Sequence, residues 1–186
     1  MSDEWDDYAD DWNDNEGVII YANHTYETLR AEVDLEGLKI LDFGCGTGNL
    51  TEKMAPKANH ITAIDSSAKM ISILKNKNIK NVKALQLELR EGDISNQFDL
   101  ITASSVFGFV PNFVDTLILL KGLLKTGGIL VQWDWLDTGQ DDFGFSPDQL
   151  KSAYNKAGFK AVKISQPFSL TKGEGEKKVV MVIASL

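Results

Sequence analysis

Cysteine is nearly absent from this chain: Cys45 is the only one in 186 residues. An internal disulfide is therefore excluded, and the composition suits a reducing compartment. Histidine is almost as scarce. His24 and His60 stand apart from Cys45 and from each other, so no metal site with recognisable ligand spacing can be read and none is expected. No apolar run approaches the roughly 20 residues that cross a bilayer. The opening Met1-Ser2-Asp3-Glu4 carries acid where a secretory leader carries base. These absences predict a soluble, cytoplasmic protein with no membrane partner. An excess of base is missing as well. The net charge is −8, and residues 1–16 alone hold Asp3, Glu4, Asp6, Asp7, Asp10, Asp11, Asp14 and Glu16 with no Lys or Arg. That leaves 19 of the 27 acids to match all 19 bases. A formally neutral body behind an acidic arm lacks the footprint of a nucleic-acid binder, and nucleic acid is not expected as a partner.

What is present is a regular alternation. Apolar β-type runs occur at Leu38–Phe43, His60–Ile64, Val82–Leu87, Asp99–Ala103, Gly128–Trp133, Ala161–Ser165 and Val179–Ile183. Between them, stretches of helical period fall at Asn49–Met54, Ala68–Lys75, Phe113–Lys125 and Pro147–Ala157, after a first helix at Val18–Val33. Strands alternating with helices predict a parallel sheet in an α/β fold. Lys125-Thr126-Gly127-Gly128 is expected to end one helix, and Ala157-Gly158-Phe159 another. Gln166–Lys178 carries no helical pattern, so the last two strands are expected to form an antiparallel hairpin. With no repeat and no linker, residues 1–186 are expected to form one domain, an arm over 1–16 and a body over 17–186.

The densest signal is Leu41-Asp42-Phe43-Gly44-Cys45-Gly46-Thr47-Gly48-Asn49-Leu50, an apolar strand followed by a tight glycine turn and a helix start. Such a turn lets backbone approach a ligand and aims unpaired helix N–H groups into the same crevice. The third glycine of a dinucleotide fingerprint would fall at 49, which is Asn49, so a nicotinamide enzyme is disfavoured. The second strand then ends in Ile64-Asp65-Ser66-Ser67. A carboxylate there is either the acceptor for a ribose diol or a helix N-cap.

On these residues the chain resembles the class I S-adenosylmethionine-dependent methyltransferases from about Leu38 onward. Asp42 to Gly48 looks like the family's first motif, which embraces the methionine part of the cofactor and organises its amino group. Asp65 matches its ribose-binding acid, Ser67 and Met70 its D-x-S-x-x-M run, and Glu88 the acid near the adenine amino group, with Asp93 as a rival. Phe98-Asp99-Leu100-Ile101 resembles the family's fourth strand, and Leu123 to Gly128 its L-K-P-G-G turn. The resemblance implies a Rossmann-like, doubly wound seven-stranded sheet in the order 3-2-1-4-5-7-6, with strand 7 antiparallel. It implies cofactor contacts at Asp42, Gly44, Cys45, Gly46, Gly48, Asn49, Asp65, Ser66, Ser67, Met70, Glu88, Leu89 and Ser104. S-adenosyl-L-methionine is the implied cofactor and a small-molecule methyl acceptor the implied partner. The oligomeric state stays open.

One departure bears on catalysis. Many small-molecule members carry histidine after the fourth strand, whereas this chain reads Val106-Phe107-Gly108-Phe109-Val110-Pro111. Methyl transfer from a sulfonium needs alignment and a dry site more than a triad. The candidate acceptor pocket is Phe107, Phe109, Trp133, Asp134 and Trp135, with Phe143 and Phe145 on the loop beyond. Asp134 is the one ionisable group among them, either a solvated strand-end carboxylate or a base that orients the acceptor. The aromatic side chains are equally explained as core. In the arm, Trp5, Tyr8 and Trp12 recur at i, i+3 and i+7, which predicts one aromatic helix face. That face either docks for stability or forms a lid, with Tyr8 and Trp12 reaching the cofactor. A cofactor-binding module without turnover, acting as a regulatory subunit, is the alternative from another class.

Overall fold

The computed structural model describes residues 2–139, 144–172 and 175–186. The elements are α1 (Ser2–Tyr8), α2 (Glu16–Glu32), β1 (Lys39–Phe43), α3 (Asn49–Met54), β2 (His60–Asp65), α4 (Ala68–Asn76), β3 (Val82–Gln86) and β4 (Phe98–Ser104), then a 3-10 turn at Phe107–Phe109. They continue with α5 (Phe113–Gly122), β5 (Leu124–Trp135), α6 (Pro147–Ala157), β6 (Ala161–Lys172) and β7 (Gly175–Ser185). The seven strands order as β3-β2-β1-β4-β5-β7-β6. β1 with β2, β2 with β3 and β4 with β5 run parallel, and β7 is antiparallel to both β5 and β6. This is the order that the resemblance implies. By contact density the chain divides at residue 90 into two compact units, 1–90 and 91–186.

In the first unit, β1 buries Ile40, Leu41, Asp42 and Phe43 in succession, and β2 buries Ile61 to Ile64. Burial on both faces is the mark of a central parallel strand, which is why these runs read as unbroken apolar stretches. Asn15 caps α2, its side chain accepting from the N–H groups of Gly17 and Val18, and Ser67 caps α4 by accepting from Met70. The arm is not the single helix that the aromatic spacing predicts. Its helix stops at Tyr8 with no basic residue in its last turn, and Asp10 and Asp11 follow where the helix dipole disfavours negative charge. Turns then carry the chain to Asp14.

In the second unit, α5 ends at Gly122 instead of Lys125, and β5 begins at Leu124. The Lys125-Thr126-Gly127-Gly128 segment lies within that strand. Phe98 pairs with Leu124 while Leu100 pairs with Ile129, so the extra residues are taken up as a bulge in the β4–β5 ladder. α6 opens on a full capping box between Ser146 and Gln149 with Pro147 in its first turn, and closes on left-handed Gly158. β6 and β7 form the expected hairpin but are longer than the apolar runs, pairing out to Lys172 and Gly175.

Candidate functional site

The glycine turn is built around one carboxylate. The N–H groups of Gly44 and Cys45 both donate to the Ile64 carbonyl, at 2.9 and 3.0 Å, folding the turn back on the end of β2. Asp65 then bridges two segments. Its Oδ2 accepts from the Gly46 N–H and its Oδ1 from the Ser67 N–H, each at 2.9 Å. The N-cap of α4 is therefore Ser67, and the capping alternative for Asp65 falls away. With the Ser66 N–H as a third backbone donor, three of the carboxylate's roughly four lone-pair sites are taken, and the remaining capacity can still accept from a cofactor hydroxyl. Burial pushes the Asp65 carboxyl above the usual range, opposed by the N–H groups of Ser67, Gly46 and Ser66, with the Asp6 charge adding to the rise.

The turn demands glycine where it meets helix α4. Gly48 has φ +82°, and a Cβ there would come within 2.3 Å of Leu74 Cδ1. A Cβ on Gly46, at φ +53°, would lie 3.7 Å from Trp12 Nε1 of the arm. Asp42 is buried, and its Oδ2 accepts from the Thr51 hydroxyl on α3. Cys45 is held as a thiol, its pKa pushed well up first by burial and then by the charges of Asp42 and Asp65. That environment disfavours a nucleophilic thiolate there.

The arm straps this turn. Asp6 Oδ1 accepts from the Ser67 hydroxyl and, at 3.2 Å, from the Lys69 N–H at the start of α4. Lys69 Nζ reaches Asp10 at 2.6 Å, and the Thr47 hydroxyl donates to Asn13 Oδ1 at 2.6 Å. Trp5 packs edge-on against Trp12 with ring centres 5.8 Å apart. Tyr8 packs on Trp5 but is 62% exposed, standing outside the strap. The acids of the arm thus act as hydrogen-bond acceptors on α4, a role that charge counting did not suggest. Ser66, Met70 and Asn49 lie along the same turn and helix starts, with Met70 buried and Asn49 Oδ1 accepting from Lys77 at 3.3 Å. Glu88 and Leu89 fall beyond the end of β3, where Glu88 is exposed and pairs with Arg90 at 3.4 Å.

The second unit separates the expected pocket residues. Successive strand side chains point to opposite faces, so Trp133 and Trp135 share one face of β5 while Gln132 and Asp134 share the other. Trp133 is fully buried core. Asp134 is 3% exposed, which overturns its reading as a solvated strand-end carboxylate. It accepts from the Phe107 N–H and, at Oδ2, from Gln132 Nε2 at 2.8 Å. Burial is the chief reason that its pKa rises to about 7, against those two hydrogen bonds. Phe107 is buried in a cluster with Phe113, Phe145 and Tyr154, whereas Phe109 is 38% exposed on the same turn. Ser104 ends β4, half-buried, and Ser105 follows with φ +54°. Phe143 lies outside the described residues. Gln132 and Tyr154 were missed by the sequence reading, although a second polar residue two before Asp134 in an apolar strand was the available signal. Among the described residues, no three His, Cys, Asp or Glu side chains converge as a metal site and no helix is long and apolar enough to cross a membrane.

Comparison with known proteins agrees with this geometry. A family model described as a methyltransferase domain matches residues 41–130, from the first strand through β5's start. A malonyl-[acyl-carrier protein] O-methyltransferase of Bacillus anthracis is 31% identical over 124 residues, 64% of this chain and 43% of that protein. A ubiquinone biosynthesis O-methyltransferase of Xanthomonas campestris pv. campestris is 29% identical over 109 residues, 55% of this chain and 45% of that protein. Among solved structures, a DhpI–SAM–HEP complex superposes with a TM-score of 0.80 at 18% identity, covering 99% of this chain and 95% of that one. These similarities support a class I S-adenosylmethionine-dependent methyltransferase. It spans under half the length of these curated relatives.

Proposed function

We propose that this chain transfers the methyl group of S-adenosylmethionine to an oxygen atom of a small-molecule acceptor. The observation that carries the reading is Asp65, a part-buried carboxylate that ties the glycine turn to the start of α4 and keeps acceptor capacity beyond its backbone hydrogen bonds. That capacity at the end of β2 suits the ribose of a nucleoside cofactor. The narrow turn at Gly44 to Gly48 suits its methionine part. Oxygen is the favoured acceptor atom because the malonyl-[acyl-carrier protein] and ubiquinone relatives are both named O-methyltransferases.

When bound, S-adenosylmethionine would supply an activated methyl that passes in line to the acceptor oxygen as its sulfur leaves as the neutral thioether of S-adenosylhomocysteine. The chain's own residues bind, orient and exclude water. Asp65 and the turn fix the cofactor's sugar, Asp42 holds the turn's entry strand to α3 through Thr51, and residues 2–14 serve as a lid over the turn. The Phe107–Phe109 turn is the acceptor wall. Asp134 supports that wall from behind as a positioning residue, since its carboxylate is spent on Phe107 and Gln132.

The test is transfer of labelled methyl from S-adenosylmethionine to a panel of carboxylate, phenol and amine acceptors. Labelling of oxygen acceptors alone is expected. Binding of S-adenosylhomocysteine with no acceptor labelled would favour the module without turnover, and labelling of amines only would overturn the oxygen assignment.

A further inference from the structure

The second unit holds a buried polar chain that methyl transfer as described does not use. Tyr154 on α6 donates its hydroxyl to Gln132 Oε1 at 2.8 Å, and Gln132 donates its amide to Asp134 Oδ2 at 2.8 Å. Asp134 in turn accepts the Phe107 N–H of the turn after β4. Tyr154 and Gln132 are fully buried and Asp134 nearly so. Burying polar groups in such a setting is costly unless they are hydrogen-bonded to one another. We propose that Tyr154, Gln132 and Asp134 form a proton-dependent positioning device for the Phe107–Phe109 turn, with two hydrogen-bond polarities selected by the protonation of Asp134.

The chemistry follows from the amide in the middle. With Asp134 ionised, the donors run from Tyr154 through Gln132 to the carboxylate. When Asp134 takes a proton from solvent it becomes a donor itself, and its O–H would face the Gln132 amide N–H. A half-turn of the Gln132 amide removes the conflict. Gln132 Oε1 then accepts from Asp134, and its NH2 donates to the Tyr154 oxygen. In that state the Tyr154 O–H loses its Gln132 acceptor, a cost that disfavours protonation, and the carboxyl that holds the Phe107 N–H changes from a charged acceptor to a neutral one, roughly halving that bond's strength. The turn is therefore held tightly in the ionised state and loosely in the protonated one.

The surroundings leave Asp134 as the group that titrates. Tyr154, facing it from α6, is kept protonated because burial, and then the Asp134 charge, push its pKa well above the ordinary value. β7 places Val180 opposite Asp134, β5 brings Gln132, the turn brings Phe107, and Phe113 of α5 packs on Phe107 and Tyr154. Among the described residues no Lys or Arg is paired with the carboxylate. The shift of Asp134 to about 7 places the change of polarity near neutral pH. Its consequence for methyl transfer rests on reading the turn as acceptor wall, but the device is measurable in the free protein, so the two stand or fall separately.

The experiment is a pH titration of the full chain by NMR, following the Phe107 backbone amide and the Gln132 side-chain amide. Both should move in one step with a shared midpoint near neutrality, and Asp134→Asn should abolish the step. Tyr154→Phe removes the donor that points the Gln132 amide at the carboxylate. It should raise the midpoint by about one pH unit, a tenfold gain in proton affinity. A merely structural tyrosine would not move the midpoint. Should Tyr154→Phe not fold, the wild-type titration decides alone. A flat Phe107 amide between about pH 5.5 and 8.5, or a step in which Gln132 takes no part, would overturn the proposal.

Discussion

Asp134→Asn should change the pH dependence of stability in a direction opposite to that of most carboxylates. The folded-state pKa is about 7 against 3.8 for an unperturbed Asp. Between those values the folded protein binds the proton that the unfolded chain has released, so stability falls as pH rises, and the penalty is complete above the folded pKa. At roughly 1.4 kcal/mol per pH unit the full penalty is at most about 4 kcal/mol. About 3 kcal/mol of it develops between pH 5 and pH 8.5, because at pH 5 the unfolded chain is already mostly ionised. Asparagine carries no charge. Its NH2 facing Phe107 or Gln132 introduces a donor conflict of about 1–3 kcal/mol, but that cost does not vary with pH. The diagnostic is accordingly the slope and not the offset. Urea denaturation of wild type and Asp134→Asn at several pH values should give a difference in unfolding free energy that moves toward the variant as pH rises. Parallel curves, with the difference constant to within about 0.5 kcal/mol, would refute the buried-carboxylate account.

Other outcomes follow from the first unit. Asp65→Ala should weaken S-adenosylhomocysteine binding at least about tenfold, since it removes charge-assisted acceptors worth about 1.5–3 kcal/mol each; unchanged affinity by calorimetry in a folded variant would return Asp65 to a purely structural role. Gly48→Ala should lower stability by about 1–3 kcal/mol in thermal melts, because a Cβ meets Leu74 at 2.3 Å and the backbone is left-handed. Deleting residues 1–16 should weaken cofactor binding and abolish turnover, and hydrogen exchange at residues 5–14 should slow once cofactor is bound; exchange indifferent to ligand would make the arm a stability element. Lys69→Met should loosen the arm only slightly, seen as little change in the thermal melt, since the Lys69–Asp10 pair is solvent-screened.

The sequence made the sheet legible because its central strands are buried on both faces and therefore read as short apolar runs. Gly44, Gly46, Gly48 and Asp65 were legible for a related reason, since few other functions need those residues at a strand end. Three features were hidden. Lys125 to Gly128 has the composition of a helix terminus, yet pairing of Phe98 with Leu124 draws it into a bulged strand. The spacing of Trp5, Tyr8 and Trp12 suggested one continuous helix, whereas contacts of Asp6 and Asp10 with α4 shape the arm after Tyr8. Asp134 looked like a solvated strand end. Its burial depends on Tyr154, 20 positions later on α6, and on the turn at Phe107, which no local pattern connects to it.

The central claim is that the Asp65-centred turn holds S-adenosylmethionine. Calorimetric titration of the full chain with S-adenosylhomocysteine and, separately, with NAD tests it most directly. The account predicts one saturable site for S-adenosylhomocysteine, weakened in Asp65→Ala, and no heat of binding with NAD. Silence with S-adenosylhomocysteine, or saturable binding of NAD that Asp65→Ala weakens, would contradict it.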